Sequence, residues 1–206
     1  MVKLFPSVLV LTTACHRTTA QPGPAVVVPG APGEASRVVT NARPAPVIKY
    51  TEADVKFMQG MIGHHAQALD MTALLKTRTL REDMKLLALR IDVSQADEIK
   101  MMQRWLEARR LEVPGPHAHH MAGARLMPGM LTLEDMARLE GARGSDFDKL
   151  FLQYMIRHHE GALVMVKELF SAGGGQPPEV FAFASDVEAD QQAEIDRMRN
   201  MLAAGK

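Results

Sequence analysis

Phe57-Met58-Gln59-Gly60-Met61-Ile62-Gly63-His64-His65-Ala66-Gln67-Ala68-Leu69-Asp70-Met71 is half of a pair. Its counterpart, Phe151-Leu152-Gln153-Tyr154-Met155-Ile156-Arg157-His158-His159-Glu160-Gly161-Ala162-Leu163-Val164-Met165, lies 94 residues further on (158 against 64). Phe, Gln, Met, Ile, both His, Ala, Leu and the closing Met occupy the same places in both. A repeat at fixed spacing dictates architecture, so it is settled first. In the first copy Phe57, Met61, Ala68, Met71 and Leu75 recur in steps of three and four with His64 among them, which defines one helical face. A neighbouring stripe carries Met58, Ile62 and Leu69 with His65. The two His of each copy therefore stand about 100° apart on an otherwise apolar surface.

Each copy is followed by a second long helical pattern. Gln95-Ala96-Asp97-Glu98-Ile99-Lys100-Met101-Met102 answers to Gln191-Gln192-Ala193-Glu194-Ile195-Asp196-Arg197-Met198, now 96 residues apart (191 against 95). The duplicated unit is thus a helical hairpin, and two such hairpins with one apolar face each satisfy one another as a four-helix bundle. Capping signals are expected at Thr51-Glu52-Ala53-Asp54, Thr79-Leu80-Arg81-Glu82, Thr132-Leu133-Glu134-Asp135 and Ser145-Asp146-Phe147-Asp148. The helix opened at Thr79 is expected to run to about Leu111, with Leu86, Leu89, Val93, Ala96, Ile99, Met102 and Leu106 on its apolar side. Gly173-Gly174-Gly175 breaks the helix of the second copy, and Pro177-Pro178 opens the last one.

The flanks read differently. Residues 1–15 combine Lys3, a short apolar run and small residues before Cys15, the pattern of an export signal. That run is too short to span a bilayer. Ala14-Cys15 resembles a lipoprotein cleavage site, at which Cys15 would be acylated; the alternative is an ordinary secretory signal with an incidental Cys. Residues 16–49 are rich in Pro, Gly and Ala without a sustained period, and are expected to be a disordered tether. The bundle is assigned to 50–204, interrupted by loop 114–130, in which His117, His119, His120, Met121, Met127 and Met130 cluster. A loop of that length inside a domain is functional or disordered. It is either a second metal-binding segment or a solvated linker.

Fifteen Met and eight His stand out in a chain with 47% hydrophobic but 5% aromatic residues. With 24 basic against 24 acidic residues, nothing favours nucleic acid, and membrane contact is expected only through a lipid on Cys15. The single Cys excludes an intrachain disulfide and a Cys-cluster zinc site. Helical spacing puts Met61 with His64, and His64 with Met71, on one face; Met155, His158 and Met165 repeat this, and His65 and His159 follow Met61 and Met155 by four. Imidazole with thioether is a soft ligand set that suits Cu(I), whereas hard ions take oxygen. The expected metal residues are therefore His64, His65, His158, His159, Met61, Met71, Met155 and Met165, with Glu98 and Glu194 placed to accept from the second ring nitrogens.

Met61-Ile62-Gly63-His64-His65, Met155-Ile156-Arg157-His158-His159-Glu160-Gly161-Ala162 and Gln192-Ala193-Glu194-Ile195 resemble the signatures of a bacterial domain-of-unknown-function family, that of the CopM-like copper-binding proteins. The resemblance covers residues 50–204. It implies a ferritin-like bundle exported to the periplasm or cell surface, binding copper in some members. Gly63 departs from the family's frequent Pro, which touches helix geometry rather than the ligand set. The expected function is a non-enzymatic copper-binding protein of sequestration or tolerance. Two alternatives stand beside it. A di-metal redox enzyme needs inward Glu and Glu-x-x-His pairs, and the repeated helices carry no Glu-x-x-His. A metal-free envelope interaction module is the other.

Overall fold

A computed structural model describes residues 26–28, 33–39, 49–115 and 126–204. The chain divides into two units, residues 1–47 and 48–206. In the first, β1 (Val26–Val28) and β2 (Arg37–Val39) pair antiparallel with Val27 opposite Val38. This short hairpin lies in the stretch expected to be a tether; its β-branched residues favour pairing locally. Val27 and Val38 remain exposed, so the pairing gains little from burial.

The second unit is the expected all-α bundle. Its elements are α1 (Glu52–Ala73), α2 (Leu75–Arg78), α3 (Glu82–Glu107), α4 (Leu133–Gly141), α5 (Gly144–Ser171) and α6 (Pro178–Ala204). The long helices form two hairpins, α1 on α3 and α5 on α6, and α1 packing on α5 joins them. Thr51 caps α1 as expected: its hydroxyl accepts from the Asp54 amide at 3.2 Å while Asp54 accepts from the Thr51 amide at 2.7 Å. Asp54 also accepts from the Gly175 amide at 2.6 Å, tying the start of α1 to the turn after α5. Gly173 and Gly175 make that turn at φ +78° and +74°, a left-handed conformation glycine adopts without strain. Thr132 caps α4 in the same way as Thr51 caps α1.

Three expectations shift. α3 opens at Glu82 with no side-chain cap, because the Thr79 hydroxyl instead accepts from the Arg81 amide ahead of the helix. It closes at Glu107, short of Leu111. α5 opens at Gly144 behind Arg143, so Ser145 lies inside the helix rather than capping it.

The buried side of α3 is also corrected. Leu86, Leu89 and Val93 are exposed, while Met84, Leu87, Ala88 and Ile91 are buried. The helix carries two apolar stripes offset by two residues, about 200° of rotation. The buried stripe is the one that continues through Gln95, Ile99, Met102 and Leu106. Among the described residues no helix is long and apolar enough to cross a membrane.

The apolar interior is in two parts. One cluster holds Phe57, Met61, Ile62, Met102, Leu106, Met165, Leu169 and Val187. The other holds Ala68, Met71, Leu75, Met84, Ile91, Phe151, Met155 and Met198. Each long helix passes from one cluster to the other, and at each changeover it presents buried polar residues. These are His64 and His65 on α1, Gln95 on α3, His158 and His159 on α5, and Gln191 and Glu194 on α6. A polar layer therefore crosses the middle of the bundle. Its members are the residues the two repeats share.

Candidate metal centre

His64 and His158 meet where α1 crosses α5, with ring centroids 3.8 Å apart and planes inclined at 38°. Gly60, one turn before His64, lies against the end of Met165, which follows His158. The two helices thus run antiparallel through the His pair. Met61 with Met165 falls on one side of it and Met71 with Met155 on the other. His65 and His159 lie outward along the same layer, their rings 6.3 Å from His64 and 6.2 Å from His158. All four rings are buried, at most 1% exposed. Taken in the order His65, His64, His158, His159, neighbouring rings lie 6.3, 3.8 and 6.2 Å apart. Among the described residues no three His, Cys, Asp or Glu side chains come together as metal ligands.

The ends of the row are set by carboxylates. His65 Nε2 lies 2.6 Å from Glu98 Oε2, and His159 Nε2 lies 2.7 Å from Glu194 Oε2. A neutral imidazole must donate to such an oxygen, which puts the proton on Nε2 and the lone pair on Nδ1. This pairing of carboxylate with the far ring nitrogen is the usual support of a metal-ligating His, and both Glu were expected in this role. In the centre, His64 Nε2 donates to the Pro128 carbonyl at 3.0 Å. The Pro128-Gly129 turn is pressed against α5 at Gly161, where a Cβ would stand 1.9 Å from the Pro128 oxygen. Only glycine at 161 lets that carbonyl reach the His pair.

Burial sets the charge state. Desolvation holds His158 well below the usual histidine range, and the neighbouring His64, His159 and His65 push it the same way. His159 is also lowered by desolvation, with the Glu194 carboxylate opposing. Neutral rings keep nitrogen lone pairs available, as metal binding requires. The layer is also short of hydrogen bonds. Both nitrogens of His158, the Nδ1 of His65 and of His159, both polar atoms of Gln95 and the Oε1 of Gln191 have no partner among the described residues. An unmet buried polar group costs about 1–3 kcal/mol, while a whole domain has only about 5–15 kcal/mol of stability. Such a concentration at one level of a core marks a place where water or an ion is accommodated.

Sequence reading missed the Pro128 carbonyl, since a backbone atom has no residue signature. It also gave no role to Gln95 and Gln191, although the 96-residue correspondence had matched them. His117, His119, His120 and Met121 lie outside the described residues, as does Cys15.

The family model named Domain of unknown function (DUF305) matches residues 54–202, which contain the whole polar layer. The chain belongs to the DUF305 family. A DUF305 protein from Streptomyces coelicolor, described as secreted, has a similar structure at TM-score 0.65 and 30% identity, over 74% of this chain and 93% of its own. A DUF305 fragment from Deinococcus radiodurans follows at TM-score 0.64 and 31% identity, over 76% and 99%. CopM in its Cu(II)-bound form matches at TM-score 0.62 and 28% identity, over 74% and 97%. CopM has also been solved with Cu(I) and with Ag. No curated protein sequence matches the chain. The DUF305 likeness covers the bundle, and with it every expected ligand.

Proposed function

We propose that the protein is an exported, non-enzymatic binder of a soft metal ion, Cu(I) by preference, serving sequestration or tolerance. The observation that carries this is the buried row of imidazoles, with carboxylates on the far nitrogens of His65 and His159 and, among the described residues, no satisfied hydrogen bond on either nitrogen of His158. Likeness to CopM, solved with copper and silver, supports the choice of metal.

Cu(I) is satisfied by two or three soft donors and does not need the convergent oxygen-rich shell of a hard ion. His64 and His158 supply the central nitrogens, and His65 and His159 the Nδ1 atoms on either side. Met61 and Met155 stand one helical turn from these rings. Met71 and Met165 are about 10 Å along their helices from His64 and His158, so they serve an ion displaced toward one core or the other. The row suits one ion or two, and not a single ion held by all eight residues. No residue is assigned a catalytic role.

Export to the periplasm or cell surface is supported by the signal-like residues 1–15 and by the secreted S. coelicolor relative. Acylation at Cys15 would add a lipid anchor. The test is a competitive Cu(I) titration of the wild type against His64→Ala/His158→Ala. The wild type is expected to take the ion from a chromophoric chelator and to gain thermal stability by mass action. Equal uptake by the folded double variant overturns the assignment, and a melting temperature indifferent to the ion favours an interaction module.

A further inference from the structure

A groove of about 1060 Å³ opens on one side of the bundle, beside the polar layer but outside it. Gly60 and Gly63 line it from α1, Met165 from α5, and Met127, Pro128 and Met130 from the segment before α4. Two thioethers converge on Gly60. A Cβ there would stand 3.5 Å from Met127 Sδ and 3.3 Å from Met165 Cε. Met130 lines the same groove, its Sδ accepting from the Met127 amide at 3.3 Å.

We propose that this groove is a second soft-cation site, binding Ag(I) or Cu(I) through Met127 and Met165 with Met130 as a third sulfur donor. Several observations separate it from ordinary core filling by methionine. Met127 is only partly buried, and Met130 and Met165, though buried, line the groove, whereas Met71, the counterpart of Met165, does not. Glycine in a helix interior costs about 0.5–1 kcal/mol, and at Gly60 it leaves space that two sulfur-bearing ends occupy. The counterpart of Gly60 is Tyr154, whose ring fills that place in the second hairpin and whose hydroxyl is held by Asp135. The space that glycine leaves at position 60 is thus taken by a side chain at the matching position of the second hairpin. Among the described residues its polar margin carries Glu52 and Glu168 against Lys56, a balance that draws positive ions. Thioethers then select the soft ones among them. Pro128, the wall of the groove, is also the residue whose carbonyl holds His64.

Met165 is common to the groove and to the polar-layer reading, so the groove is tested through Met127 and Met130, which belong to it alone. Full-length protein labelled at the methionine methyl carbons is titrated with silver nitrate in chloride-free buffer. Spectra are assigned with Met127→Leu, Met130→Leu and Met165→Leu, swaps that conserve volume. The Met127 and Met130 methyls are expected to shift together on adding Ag(I), in the wild type and equally in His64→Ala/His158→Ala. Met127→Leu/Met130→Leu is expected to bind one Ag(I) fewer by native mass spectrometry while melting within a few degrees of the wild type. Methyls unmoved throughout the titration, or an undiminished count in the folded Leu pair, overturn the groove site. Shifted groove methyls with an undiminished ion count in His64→Ala/His158→Ala leave the groove standing and remove the polar-layer assignment. Unmoved methyls with uptake lost in that variant do the reverse.

Discussion

In the first hairpin His65 meets one oxygen of Glu98, and the other oxygen accepts from the Ser94 hydroxyl one turn away on the same helix. In the second, His159 meets one oxygen of Glu194, and the other accepts from Arg90, which reaches across from α3. The central rings differ as well. His64 is held by the Pro128 carbonyl, while neither nitrogen of His158 has a hydrogen bond among the described residues. Duplication made the positions equivalent and the surroundings did not follow. The segment joining the hairpins occurs once, so it can place its carbonyl on only one of the two central rings. The consequence is a central pair with one tethered ring and one open one.

If this asymmetry governs binding, His158 is the more costly ring to lose. His158→Ala is expected to weaken Cu(I) affinity beyond the roughly 10–100-fold that loss of an outer partner costs, and by more than His64→Ala. Competitive titration of the two variants checks the order, and the reverse order would show that the carbonyl on His64 gives way readily. Glu194→Gln and Glu98→Gln come next. Each is expected to cost about 10–100-fold by loosening the His it orients, with Glu194→Gln the larger because its side chain is 5% exposed against 17% for Glu98. Equal losses would mean that Arg90 and Ser94 are interchangeable supports.

The smallest expected effect is in pH. The folded state holds His158 below its unfolded value of about 6.5, so under acid the unfolded chain binds more protons than the native one. Stability is then present above about 6.5 and declines as pH falls from there toward the lowered folded value. His159 adds to this in the same direction, with Glu194 opposing. Thermal melts of apo protein between about pH 7.5 and 5 should fall accordingly, and His158→Ala should flatten the slope. An unchanged slope would move the titration to other rings in the layer.

Much of the frame was legible before any coordinates. The matched spacing of His64-His65 and His158-His159, the periodic Phe57, Met61 and Met71, and the caps at Thr51 and Thr132 are local patterns. Helix identity follows from them because it depends on neighbours three and four residues away. That Glu98 and Glu194 could support ring nitrogens was also readable from their recurrence in the duplicated hairpin, but which His each meets was decided by the fold. The phase of α3 was not. Leu86, Leu89 and Val93 make as good a stripe as Met84, Leu87 and Ile91, and only packing against α1 decides which is covered.

By itself, then, the sequence determined that this is a duplicated helical hairpin with paired imidazoles on an otherwise apolar face. Tertiary structure alone decided that α1 and α5 cross at His64 and His158, and that the four rings lie in a row. It also decided that a backbone carbonyl, admitted by Gly161, occupies one of them. The physical reason is that periodicity is written in the identity of nearby side chains. Crossing points, backbone contacts and grooves arise from surfaces that meet only after the chain has closed on itself.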